Sequence, residues 1–239
     1  MKIGIVTTFS DKGYREYAKE FLETIKQYLD NQIQVFLYVD SVDIDVRKFD
    51  NIKVLNLEAS MPALTDFKFR HKDKTFKTFL NDAVRFAHKS YAIVHAAKHS
   101  NVDVLIWLDA DTELKKEISV SYLKKFLPAG IFSSYLGRPG RYTETGFISF
   151  DLTHQYSQEF FESIQNYYDK DLIYTELSEQ TDCHVYDAVR VKMENENKIK
   201  CHNLTPDLGK NNFNNTFAGY MVHYKGDKKF NKNFKKVKK

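Results

Sequence analysis

Five apolar residues in a row, Val104-Leu105-Ile106-Trp107-Leu108, run directly into Asp109-Ala110-Asp111-Thr112. A short unbroken apolar run predicts a strand buried on both faces, as at the centre of a parallel sheet. The remaining pattern fits around it. Strands are predicted over residues 3–8, 35–40, 54–57, 130–136, 143–151 and, at an edge, 199–203. Apolar positions at helical spacing predict helices over residues 13–29, about 75–99, 120–126 and 156–168. A further helix starts at Glu179-Gln180-Thr181-Asp182, with Thr181 or Asp182 as its N-cap. The stretch from Phe67 to Lys72 after Pro62, and residues 137–142 and 204–216, read as loops. Strand–helix–strand alternation predicts an α/β fold, with a mixed, mostly parallel, Rossmann-like central sheet flanked by helices.

In open α/β sheets, ligands bind beyond the carboxyl ends of the strands. Asp109 and Asp111 stand at such an end, and on extended chain residues i and i+2 point the same way. They are therefore candidate ligands for a divalent cation. Asp43-Ile44-Asp45 and Asp169-Lys170-Asp171 repeat the spacing but follow no buried run, so they read as solvated charges. On the preceding helix Asp82, Arg85 and Lys89 share a polar face. Arg85 and Lys89 could neutralise a diphosphate from there. A surface ion pair between Asp82 and Arg85 is the alternative. Gly146, within a predicted strand, marks close approach of a ligand or of another backbone.

Composition narrows the classes. The chain has 239 residues, 42% hydrophobic and 15% aromatic, enough for a real core. The net charge of +4 does not call for a nucleic-acid partner. No Gly-x-Gly-x-x-Gly and no Gly-Lys-Ser/Thr loop is present, which disfavours dinucleotide oxidoreductases and P-loop enzymes. No stretch has the length of a membrane span and no secretory signal is evident, so Cys183 and Cys201 read as free thiols in a reducing compartment. The expected location is cytoplasmic, either free or at the inner face of a membrane. Residues 1–229 read as a single domain and residues 230–239 as a basic tail. Five lysines with Phe230 and Phe234 suit either a solvated tail or peripheral contact with an anionic membrane.

A second landmark is His223, with Gly226 and Lys229 in the pattern His-x-x-Gly-x-x-Lys. An imidazole beside two carboxylates suits Mn²⁺ somewhat better than Mg²⁺. Gly226 would let backbone approach a phosphate, and Lys229 would add charge. Together the two landmarks resemble the glycogenin-like family of nucleotide-sugar glycosyltransferases with the GT-A fold. The resemblance implies that Asp109, Asp111 and His223 hold the cation, Mn²⁺ or Mg²⁺. It implies that Asp109, Ala110, Gly226 and Lys229 lie against the nucleotide diphosphate, and that Thr7, Thr8 and Phe9 cradle the base and ribose. The sequence departs from the family after Lys229, where Phe230-Asn231 replaces Pro-Trp. Glu179-Gln180-Thr181-Asp182 stands where Asp-Gln-Asp is usual. Retaining stereochemistry is therefore only a lean.

The implied reaction moves a sugar from a nucleotide diphosphate sugar to a hydroxyl. A UDP-sugar is favoured over a GDP-sugar, and the acceptor is a glycan, a lipid-linked glycan or a protein. An acceptor hydroxyl must be positioned and, in an inverting enzyme, deprotonated by a carboxylate. Asp182 ranks first, then Glu179 and Glu144, although capping alone also accounts for Asp182. The rivals are a sugar nucleotidyltransferase, which lacks its glycine-rich loop here, and a non-catalytic sugar-binding protein. An aspartyl phosphatase would want Asp-x-Asp-x-Thr, and position 113 is Glu.

Overall fold

A computed structural model describes residues 1–40, 44–45, 49–207 and 211–226. The strands are β1 (Ile3–Phe9), β2 (Gln34–Val39), β3 (Ile52–Asn56), β4 (Val104–Leu108), β5 (Thr112–Leu114), β6 (Ser133–Arg138), β7 (Arg141–Asp151), β8 (Cys201–Asn203) and β9 (Met221–His223). The main helices are α1 (Lys19–Tyr28), α2 (Pro62–Arg70), α3 (Ala83–His99), α4 (Val120–Lys124), α5 (Ser157–Asp169), α6 (Asp182–Asn195) and α7 (Asn212–Thr216). Seven strands form one mixed, mostly parallel sheet in the order β3-β2-β1-β4-β7-β6-β8. β1 to β4 run parallel, β7 is antiparallel to both β4 and β6, and β8 is parallel to β6. β5 and β9 form a separate antiparallel pair.

The central run behaves as its composition requires. All five residues of β4 are buried. Leu105 and Trp107 join the core between the sheet and α3, α5 and α6, while Val104, Ile106 and Leu108 join the core on the α1 face. Alternation by two residues thus feeds two separate cores, which explains why no polar residue interrupts the run.

Four expectations are corrected. The helix predicted from about residue 75 begins only at Ala83; residues 72–79 are exposed, and a 3₁₀ turn spans Phe79–Asn81. The cause is Asp82, whose carboxylate accepts the Arg85 backbone N–H at 3.1 Å and caps the helix instead of pairing with the Arg85 side chain. Residues 62–70 are helix α2 rather than loop, because Pro62 sits at the first helical position, where its missing N–H costs nothing. Residues 137–142 are not a loose loop; β6 and β7 pair there as a hairpin, with Gly140 at φ 65° in the turn. Within residues 204–216 the chain forms α7. Among the described residues no helix is long and apolar enough to cross a membrane. Lys229 and the tail of residues 230–239 lie outside the described residues.

Candidate functional site

Asp109 and Asp111 leave β4 on a tight turn, not on extended chain. The Thr112 N–H closes it on the Asp109 carbonyl at 3.1 Å. β5 follows at once and pairs with β9 so that Thr112 lies opposite His223. This register, rather than strand alternation, aims the imidazole at both acids. His223 Nε2 lies 2.8 Å from Asp111 Oδ1 and 3.5 Å from Asp109 Oδ2. One ligand atom from each of the three residues falls within 4.8 Å of the others.

His223 is fixed from several sides. Asn214, in the middle of α7, accepts its N–H at 2.7 Å and donates to its carbonyl at 3.2 Å. Phe213 packs edge-on against its ring. Gly146 lies beneath that ring, so close that a side chain there would strike it. The glycine singled out in the sequence therefore answers to the approach of an imidazole. Behind the ring, Glu144 Oε1 stands 3.8 Å from Nδ1 and pairs with Lys225. Burial alone would push the Glu144 carboxyl up, but His223 and Lys225 outweigh it and hold it down at about 2. Burial alone would likewise lower His223, but Asp111 and Glu144 raise it to about 9.

Asp109 has a second set of partners. Its Oδ1 accepts the Trp107 indole N–H at 2.6 Å and the Lys89 ammonium at 3.1 Å. Lys89 also reaches Asp182 Oδ2 at 2.9 Å and lies over the Trp107 ring, 4.7 Å from its centroid. Burial works against the charge of Lys89, but the two acids outweigh it and raise its pKa. The helical spacing of α3 does deliver Lys89 to the cleft; its ammonium is committed there to carboxylates. Arg85, one turn earlier, is exposed. Asp182 Oδ2 also accepts the Thr145 hydroxyl at 2.6 Å. Lys89 and Thr145 thus tie the first turn of α6 to the Asp-x-Asp turn.

The other candidates are spread around this centre. Glu179 is partly exposed, 3.5 Å from the buried His184 Nε2. Ala110 is buried beneath the turn. Gly226 follows β9 at φ 56°, with open space around it. At the end of β1, the Thr8 hydroxyl donates to the Tyr38 carbonyl at 2.6 Å, Phe9 stacks on Tyr14, and the buried Thr7 hydroxyl has no hydrogen-bond partner among the described residues. Trp107, Thr145, Asn214 and Lys225 escaped the sequence reading. Only Trp107 left a signal there, as the one tryptophan, two residues before Asp109. A second group, Asp40, Glu58 and His88, is also close enough for a cation, but Lys68 already pairs with Glu58.

No family model and no curated protein matches the sequence. Solved structures do match in shape. The WbbM bifunctional glycosyltransferase in its apo form superposes with a TM-score of 0.59 at 11% identity, over 94% of this chain and 46% of that one. The chain therefore spans under half the length of WbbM. Mouse xyloside xylosyltransferase 1, also apo, gives 0.55 at 8% identity, over 85% of each chain. At such identities the likeness establishes a shared fold, that of glycosyltransferases with a mixed α/β sheet.

Proposed function

We propose that the protein is a metal-dependent glycosyltransferase of the hexosyl-transferring kind, a divergent relative of the glycogenin-like enzymes. One observation carries the reading: Asp109, Asp111 and His223, distant in sequence, converge with ligand atoms within 4.8 Å at the end of the central strand. Two carboxylates and an imidazole fit Mn²⁺, with Mg²⁺ as the weaker choice. The close packing of His223 over Gly146 also supports a preformed ligand set.

When bound, the cation would neutralise charge developing on the diphosphate of a nucleotide sugar as the glycosidic bond breaks. The residues divide the remaining work. Trp107 and Lys89 occupy Asp109 Oδ1, which leaves Oδ2, on the His223 side, as the atom that would hold the cation. We assign Glu144 to orienting His223 through Nδ1, since a ligating imidazole needs a partner on its other nitrogen. Arg85, exposed at the head of α3, and Lys229 would add positive charge near the phosphates. The donor we favour is a UDP-sugar, with a GDP-sugar as the other choice, its base and ribose lying against Thr7, Thr8 and Phe9.

On the acceptor side, Lys89 and Thr145 both engage Asp182 Oδ2 and leave Oδ1 to accept an acceptor hydroxyl. Glu179, more exposed, would serve the rim. The acceptor class is a glycan, free or lipid-linked. Calorimetric titration of UDP and GDP, with and without Mn²⁺, tests the reading. Metal-dependent binding of either nucleotide is expected, and binding of neither would remove its support.

A further inference from the structure

The surface between α2 and α3 differs from the rest of the described surface. Residues 72–79 are exposed without a break. Six large apolar side chains are exposed among the described residues, and three of them lie here: Phe69 at 69%, Phe76 at 37% and Phe79 at 63%. Over residues 67–79 five Lys and Arg side chains stand against one acid, Asp73, so this short segment alone matches the net charge of +4 of the whole chain. Lys68 and Arg70 are held by Glu58 and Asp171. Lys72, Lys74 and Lys77 enter no ion pair among the described residues. Lys72 lies over the Phe69 ring at 4.5 Å and Lys74 over the Tyr174 ring at 3.3 Å.

Phe69 and Phe79 leave most of their side chains in water and Phe76 over a third of its own, and Lys72, Lys74 and Lys77 beside them form no ion pair with an acid among the described residues. An apolar phase bordered by negative charge satisfies both at once. A soluble polyanion would satisfy only the lysines. We propose that residues 69–79 dock the protein on an anionic phospholipid bilayer. Phe69, Phe76 and Phe79 enter the headgroup–acyl boundary, and Lys72, Lys74 and Lys77 meet lipid phosphates. The segment leads straight into Leu80 and Asn81. The Leu80 carbonyl accepts the Gln180 N–H at 2.9 Å, and the Asn81 amide donates to the Gln180 side chain at 2.7 Å, two residues before Asp182. Docking on this segment sets the rim of the cleft against the bilayer. The proposal rests on neither the metal nor the reaction.

The test is sedimentation of the full chain with vesicles of phosphatidylcholine alone and of phosphatidylcholine mixed with phosphatidylglycerol. The protein should sediment with the mixed vesicles only. Lys72→Gln/Lys74→Gln/Lys77→Gln should weaken partitioning about a hundredfold, and Phe69→Ser/Phe79→Ser roughly tenfold or more. All five substituted sites are exposed, so both variants should keep the fold, which a thermal melt verifies. Phe79→Trp adds an insertion probe, because the native Trp107 is buried at 2% exposure. Lipids with brominated chains should quench its indole. No binding to the mixed vesicles, or binding by both multiple variants equal to that of the native chain, overturns the proposal and, in the second case, moves the contact elsewhere, such as to residues 230–239. Loss in the lysine variant alone, with an unquenched indole in Phe79→Trp, also overturns it and points to a soluble polyanion.

Discussion

A Cβ at position 146 would meet the His223 imidazole at 2.9 Å from Nδ1 and 3.0 Å from Cε1. Gly146 belongs to β7, whose carbonyl at this position accepts the Asp109 N–H at 3.0 Å. The same residue therefore braces the Asp-x-Asp turn and makes room for the His223 imidazole. Gly146→Ala should lower Mn²⁺ affinity at least about tenfold and cost about 1–3 kcal/mol of stability through overpacking. Electron paramagnetic resonance titration of Mn²⁺, together with a denaturant melt, reads both. Unchanged affinity would separate His223 from the metal.

Asp111 tests the centre more directly. Its carboxylate approaches His223 most closely of the two acids. Asp111→Asn should abolish metal-dependent nucleotide binding and sugar transfer while leaving the fold intact. Activity that survives removal of divalent cations by a chelator, in the native chain, is the result that rejects metal dependence.

Glu144 separates orientation from acid–base work. If it orients His223, Glu144→Gln should weaken metal affinity by about 10- to 100-fold. Transfer at saturating Mn²⁺ should then recover most of its rate. A loss of rate that no metal concentration restores would return Glu144 to the acceptor side as a proton acceptor.

Lys89 joins two carboxylates in a buried setting. Lys89→Ala leaves both without their counter-charge and should cost about 3–5 kcal/mol, the usual penalty for breaking a buried pair. Adding Asp182→Asn should restore part of that loss, because the two changes share one interaction. Additive losses in a denaturant-melt cycle would show that Lys89 and Asp182 act independently.

Acid stability should report His95 on α3. Burial first, then the charges of His99 and Lys53, lower its pKa from 6.5 to about 4. The Tyr38 hydroxyl lies 2.7 Å from Nδ1, within hydrogen-bond distance of the ring. The unfolded chain binds a proton near pH 6.5 and the folded chain only near 4, so this contribution is complete above pH 6.5 and is lost as pH falls toward 4. His95→Gln should flatten the stability profile in that window. An unchanged slope would assign acid sensitivity to other groups.

The sheet centre was legible because β4 needs apolar side chains on both faces, a demand that one sequence window displays. Lys89 was legible as a cleft residue because helical spacing from Asp82 carries it to the same face. The boundary of α3 was not, since Phe79 and Leu80 continue the apolar period even though Phe79 is exposed. Local periodicity cannot register that Asp82 has already capped the helix. The positions of Asn214, Thr145 and Lys225 were also hidden, because they depend on pairings between segments far apart in the chain. The register of β5 with β9 is the clearest case: it joins Thr112 to His223, and no spacing rule predicts it.

That register has a kinetic side. Asp111 and His223 bracket more than a hundred residues of chain, yet β5 and β9 share only three paired positions. A cation held between them would close that long loop as a reversible staple, comparable in topology to a disulfide. Peeling β9 away and releasing the ion would then be one event. If the site holds a metal, amide exchange at Val222 and His223 should slow in step with Mn²⁺ concentration.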